Sequence, residues 1–168
     1  RKLVKTISYA FLYGAGDQKL GMSYDKQLSP EKAKKKGKEI RKAYIDAIPG
    51  LEKLLEGVHK VSEKGFVRGI DKRKILVDSK HKSLNYLIQG SSAVLAKKWM
   101  LLTHENLPPT AKQLAFVHDE LQFECKEEDV EDLKFLLELS ATQAGEYYNL
   151  RCPIAAESKS GSTWADVH

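Results

Sequence analysis

Three groups of residues in this chain of 168 have the types and spacing for chemistry. His118, Asp119 and Glu120 interrupt two dense strand-like runs, 113–117 and 121–125, which predicts an antiparallel hairpin with three ionisable residues at its tip. Adjacent carboxylates on an exposed corner suit a hard cation. Magnesium takes one or two carboxylates and fills its other positions with water and phosphate oxygens. Asp and Glu are also ordinary turn residues, but a hairpin with strongly apolar strands has little reason to carry three ionisable groups without a use. Arg1, Lys5 and Tyr9 fall at i, i+4 and i+8, so on a helix two cations and a ring line one face. That stripe matches a nucleotide, with cations for the phosphates and a ring for the sugar or base; a solvent-facing stripe with a core tyrosine is the alternative. Asn85 and Gln89 are also four apart. Amides on one face can use the acceptors shared by every base pair in the minor groove, checking shape without reading sequence, or can simply form a polar outer face.

The elements that position these groups follow from periodicity and punctuation. Leu3, Val4, Ile7, Ala10 and Phe11 give a helix that stops at Gly14-Ala15-Gly16, and 17–24 predicts one or two further turns with Asp17 as cap. Ser29-Pro30 opens a very basic helix to about Ala47, and Pro49-Gly50 separates it from an amphipathic helix ending near Gly65. Residues 66–68 and 73–77 predict a hairpin, and 81–104 a long helix closed by Leu107-Pro108-Pro109. After the 113–125 hairpin come a helix over 128–148, a strand near 153–157 and a Gly-Ser-rich tail. The class is α+β, with helices in the majority.

Mean hydropathy of -0.45 and the lack of an apolar run near the length of a spanning helix argue against a membrane protein. Net charge is +5, unevenly spread: residues 1–42 carry 12 basic and 4 acidic side chains, residues 119–132 carry 8 acidic and one basic. One end suits phosphate and the other cations, unless both are solvated helix faces. Cys125 and Cys152 lack zinc-site spacing and imply a reducing, cytoplasmic setting. The first residue is Arg1 rather than methionine, which fits processing or excision from a longer chain.

Together the three groups resemble family A DNA polymerases. Arg1-Lys-Leu-Val-Lys5-Thr-Ile-Ser-Tyr9-Ala-Phe-Leu-Tyr13-Gly14 resembles motif B, the O helix of the fingers, and Phe116-Val-His118-Asp119-Glu120-Leu resembles motif C. Asn85-Tyr-Leu-Ile-Gln89-Gly-Ser-Ser-Ala is similar to the helix that carries the minor-groove amides, and Gly161-Ser-Thr-Trp164-Ala-Asp-Val-His168 to the family's carboxyl terminus. The wording of Phe11–Asp17 and of the Arg68–Lys74 hairpin resembles the phage replicative, podovirus-type branch rather than bacterial polymerase I.

The resemblance implies a fingers subdomain over 1–80, with the motif B helix and a β-hairpin, and a carboxyl-terminal palm over 81–168 with the motif C hairpin. It implies that Arg1 and Lys5 hold the triphosphate, that Tyr9 stacks near sugar and base, and that Tyr13-Gly14 pack at the templating position. Asp119 would be the metal ligand for Mg2+, with Glu120 in a lesser role; His118 would approach the primer terminus, Asn85 and Gln89 would touch the minor groove, and His168 would lie near the active site. The implied partners are primer–template DNA and dNTP, in a host cytoplasm. The family's second aspartate, in motif A, has no counterpart among the 168 residues, and neither has the thumb. The chain is therefore expected to be inactive alone, completed by the rest of the polymerase in cis or in trans, and to offer an exposed sheet edge for self-association. The competing expectations are a non-catalytic nucleic-acid-binding module and a basic structural domain.

Overall fold

The computed structural model describes residues 2–167. It is α+β, mostly helical with two small antiparallel sheets. No helix among the described residues is long and apolar enough to cross a membrane. The chain forms two compact units, Arg1–Gly90 and Ser91–His168.

The first unit opens with α1 (Lys2–Leu12). Its predicted stop is a Schellman cap: Gly14 N–H donates to Phe11 O at 3.0 Å, Ala15 N–H to Ala10 O at 2.9 Å, and Gly14 sits at φ +70°. In α2 (Asp17–Tyr24) the predicted cap is displaced by one residue. Gly16 is the N-cap and Asp17 the first helical residue, because the Asp17 carboxylate is taken by Arg41, whose Nε donates to Oδ1 at 2.7 Å. Helices α3 (Pro30–Asp46) and α4 (Leu51–Ser62) follow where Pro30 and Pro49-Gly50 place them. Ser29 occupies the N-cap position of α3 without a side-chain capping bond.

Two glycines allow α2 and α3 to lie almost backbone to backbone. A Cβ on Gly21 would overlap the Ala33 backbone, and one on Gly37 that of Asp17. The core beside this crossing is Phe11, Leu20 and Leu51, with the Tyr44 ring centred 4.6 Å from that of Phe11. Burying a side chain such as Leu20, fully enclosed here, contributes about 1.5–3 kcal/mol. Gly37→Ala is therefore expected to destabilise the fold by about 1–3 kcal/mol through overpacking. Gly57→Ala, on the exposed side of α4 with nothing near its Cβ position, is expected to stabilise by about 0.5–1 kcal/mol. Urea midpoints of the two variants measure the contrast.

On the solvent side of α3, Lys34, Lys38 and Lys42 form an i, i+4, i+8 row flanked by Lys35, all exposed. Each like-charged neighbour pair costs about 0.2–0.5 kcal/mol, and Lys32 lies in the first turn of the helix, where the backbone dipole favours anions.

Strands β1 (Phe66–Arg68) and β2 (Lys74–Leu76) form the predicted hairpin in register Phe66↔Leu76 and Arg68↔Lys74. Ile75 packs over Gly90 of α5 (Ser83–Glu105), where a Cβ would meet its side chain at 2.5 Å. The boundary between the two units falls inside this helix.

The second unit contains the rest of α5, then β3 (Lys112–Val117), β4 (Glu120–Glu124), α6 (Val130–Tyr147) and the short α7 (Trp164–Val167). The β3–β4 hairpin is tighter than the sequence predicts. Val117 pairs with Glu120, so the tip holds two residues, His118 and Asp119, and Glu120 belongs to the ladder. The register shifts between Gln113 and Ala115, leaving Leu114 as a bulge. Leu114 and Val117 are 60% and 47% exposed, so the hairpin is less buried than its apolar sequence predicts.

The strand expected near 153–157 is absent. That stretch runs extended along α6 and is fastened by side chains instead of a ladder: Thr142 Oγ1 donates to Ile154 O at 3.1 Å, Ser158 N–H to Glu138 Oε1 at 3.2 Å, and Gly145 leaves room for Ile154. Part of the predicted tail is helical. Thr163 N–H and Oγ1 donate to Asp166 Oδ2 at 2.7 and 2.8 Å, a cap at the start of α7, and these bonds hold the Asp166 carboxyl below its usual range.

Candidate nucleotide and nucleic-acid site

The candidate residues of the first unit begin on α1. Lys5, Tyr9 and Tyr13 are exposed on one face. Lys5 Nζ is 5.7 Å from the Tyr9 ring centre, and the Tyr9 and Tyr13 rings stack with centres 6.3 Å apart and planes 29° from parallel. A cation, a ring and a second ring thus follow one another along the helix, half-open to solvent: Tyr9 is 50% and Tyr13 52% exposed. A tyrosine that filled the core would not be, so the stripe is a surface. Arg1, predicted to extend it, lies outside the described residues.

Tyr13 and Gly14 end this face. Tyr13 is the last residue of the cap, and Gly14 brings the backbone against the turn before α5: a Cβ there would stand 2.6 Å from His81 O. The side chain that holds this corner was not singled out from sequence. Arg41 donates from Nε to Asp17 and from Nη2 to Ala15 O at 2.6 Å, and its guanidinium lies 5.7 Å from the Phe11 ring centre. It follows Ala33 and Gly37 at i+8 and i+4, the stripe of α3 that faces α2, and that spacing was the available signal.

Asn85 and Gln89 share a face of α5, Asn85 half-buried and Gln89 exposed. Their helix is seated by Ser83, whose Oγ donates to Lys80 O at 2.7 Å, by buried Leu84 and by the Gly90–Ile75 approach. The neighbouring Tyr86 OH donates to Asp78 Oδ1 at 2.8 Å, which raises the phenol's pKa.

In the second unit, His118 adopts a left-handed backbone, φ +55°. A non-glycine residue there is uncommon, and His is among the types that tolerate it. The turn leaves His118 and Asp119 exposed, and Asp119 makes no ion pair or side-chain hydrogen bond among the described residues. Glu120 is half-buried and accepts a bond from Gln122 Nε2 two residues along β4. Asp119 and Glu120 also line a cleft of about 1520 Å³ whose apolar side chains include Leu95, Trp99, Phe123 and Leu137. Trp99 is fixed there by its indole N–H, which donates to Leu137 O at 2.8 Å.

The donor set at 119–120 consists of carboxylate oxygens alone, which fits a hard divalent cation. No group of three or more His, Cys, Asp or Glu side chains clusters among the described residues. His168 lies outside the described residues.

An α+β chain with an exposed Lys–Tyr–Tyr stripe on one helix and a carboxylate-tipped hairpin is the class of structure seen here. The sequence matches DNA polymerase family A over residues 1–166, and the chain belongs to that family. The DNA-directed DNA polymerases of Escherichia phage T7 and Escherichia phage Phieco32 are 30% and 33% identical over 193 and 178 residues, covering all of this chain and 27% and 28% of theirs. DNA polymerase I of Aquifex aeolicus is 30% identical over 174 residues, 98% of this chain and 30% of that protein. Among solved structures, the POL domain of Pol1 from M. smegmatis in complex with DNA primer-template and dNTP has a TM-score of 0.72 at 26% identity, covering 91% of this chain and 28% of that one. The phage relatives support the phage-type branch. The chain spans less than a third of the length of each of these relatives.

Proposed function

We propose that this chain is the fingers portion, residues 1–80, and the carboxyl-terminal palm portion, residues 81–168, of a phage-type DNA polymerase that transfers nucleotides from dNTP to a primer 3′-hydroxyl. One observation carries the reading: a family A chain presents an exposed Lys5–Tyr9–Tyr13 ladder on one element and, on another, an exposed Asp119 that is unpaired among the described residues.

In this reading Lys5, with Arg1, neutralises the triphosphate. Tyr9 gives the sugar and base an apolar face, and Tyr13-Gly14 close the templating position. Asn85 and Gln89 meet the minor-groove acceptors of the nascent pair, while His118 and His168 approach the primer terminus and the reacting groups. Asp119 would hold Mg2+, with Glu120 beside it, and the ion would stabilise charge on the transferring phosphoryl group. Phosphoryl transfer needs positioning and charge stabilisation above all, and these residue types supply both.

Asp119 is one of the two aspartates that a two-ion site requires. β3 and β4 pair only with each other among the described strands. This feature supports completion by a further polymerase portion carrying motif A and the thumb, in cis or in trans, with a second copy of the chain as competitor for the sheet edge. The 168-residue chain alone is expected to give no magnesium-dependent primer extension, and mixing with that portion is expected to restore it. Extension by the isolated chain, or none from a purified complex of both portions, would refute the assignment.

A further inference from the structure

We propose that the solvent face of α3 binds the phosphate backbone of a nucleic-acid strand, on a different helix from the nucleotide stripe of α1. The reading goes beyond catalysis: it needs neither a bound metal nor a bound nucleotide.

The observation is a row of cations that the fold does not use. Lys34, Lys38 and Lys42 rise along one side of the helix in steps of about 6 Å, four residues at a time, with Lys35 beside them. That step is of the order of the separation between successive phosphates in a strand. All four are exposed and make no ion pair among the described residues. Acids flank the row at helical spacing, Glu31 four residues before Lys35 and Asp46 four after Lys42, without pairing to it, while Glu39 pairs with Lys36 at 3.2 Å and Asp17 with Arg41 at 2.7 Å. A merely solvated face would alternate Glu and Lys at this spacing and gain from it. The row instead sets lysines four residues apart along one side of the helix, and a local rule broken without a structural gain marks a functional surface.

The chemistry of the face selects the partner. A helix that lies on a membrane needs an apolar side to insert, and the opposite side of α3 is already committed, with Ala33 and Gly37 pressed against α2. A protein partner would want an aromatic or aliphatic anchor, and the row carries none. Lysines alone, as evenly spaced point charges, match a phosphodiester chain.

The test is fluorescence anisotropy of a labelled single strand and of a labelled duplex, titrated with the 168-residue chain over a range of salt without magnesium or dNTP. For the Lys34→Gln/Lys38→Gln/Lys42→Gln variant, the slope of log affinity against log salt is expected to fall by about two for single strand or about three for duplex, whichever the site holds. Affinity at the lowest salt is expected to drop at least about tenfold as those phosphate contacts go. The Lys→Arg triple keeps the charge and should keep the slope. A charge-matched triple elsewhere, Lys112→Gln/Lys126→Gln/Lys159→Gln, should leave it nearly unchanged. Equal slopes for wild type and the α3 glutamine triple overturn the proposal. So do equal losses in both glutamine triples, loss of binding by the arginine triple, or equally row-dependent binding to phosphatidylserine vesicles. Because binding is read without metal or nucleotide, failure here leaves the polymerase assignment standing, and failure of primer extension leaves this site standing.

Discussion

Asp119→Asn, placed in the chain when it is joined with the portion that completes the polymerase, is expected to lower nucleotide incorporation on the order of 10³-fold, about 4 kcal/mol of transition-state stabilisation. The substitution keeps size and shape and removes the charge. Asp119 is exposed at the second position of a two-residue turn and holds nothing in place, so the cost to folding should stay within about 0.5 kcal/mol. A loss in rate would therefore report chemistry rather than collapse. Glu120→Gln should cost far less, because Glu120 is in the ladder opposite Val117 and shares a bond with Gln122. Single-turnover incorporation at saturating dNTP measures both. A loss below tenfold for Asp119→Asn would remove it from the metal site, and equal losses at the two positions would overturn the division of roles.

The same hairpin shows where sequence reasoning reaches and where it stops. Two apolar runs separated by polar residues announce a hairpin, and the structure has one. The length of the tip is a matter of register, and register here is set by the Leu114 bulge and by the left-handed backbone of His118. Neither has a local sequence signature, so Glu120 reads as a tip residue when it is a strand residue. The stripe on α1 is legible because helical periodicity alone puts Lys5, Tyr9 and Tyr13 in line. Arg41 is not: among seven basic residues of α3, composition cannot say which one turns inward, and the answer lies in Gly37 and Ala33 fixing the face that meets α2. Residues 153–157 read as a short strand, but a strand needs a partner backbone. Here the neighbour is a helix, whose side chains supply the bonds.

Gly14 joins the legible and the illegible parts of the α1 corner, and its replacement should have a large effect on stability. Sequence shows a glycine after a helix; the structure shows two separate demands on it. Its φ of +70° disfavours any residue with a Cβ, by about 1–2 kcal/mol. A Cβ would also stand 2.6 Å from His81 O, a backbone atom that cannot swing aside as a side chain could, which adds about 1–3 kcal/mol of overpacking. Gly14→Ala should therefore lose about 2–5 kcal/mol, a large share of the roughly 5–15 kcal/mol that holds a domain together. Gly65→Ala separates the two terms: Gly65 has φ +79° with nothing within 4 Å of its Cβ position, so only the backbone cost of about 1–2 kcal/mol applies. Urea unfolding of the two variants gives the difference directly. If it exceeds about 1 kcal/mol, the approach of α1 to the turn before α5 is what demands glycine beside Tyr13. Equal losses would mean that the left-handed cap alone requires it, and that the end of the α1 stripe is free to move away from His81.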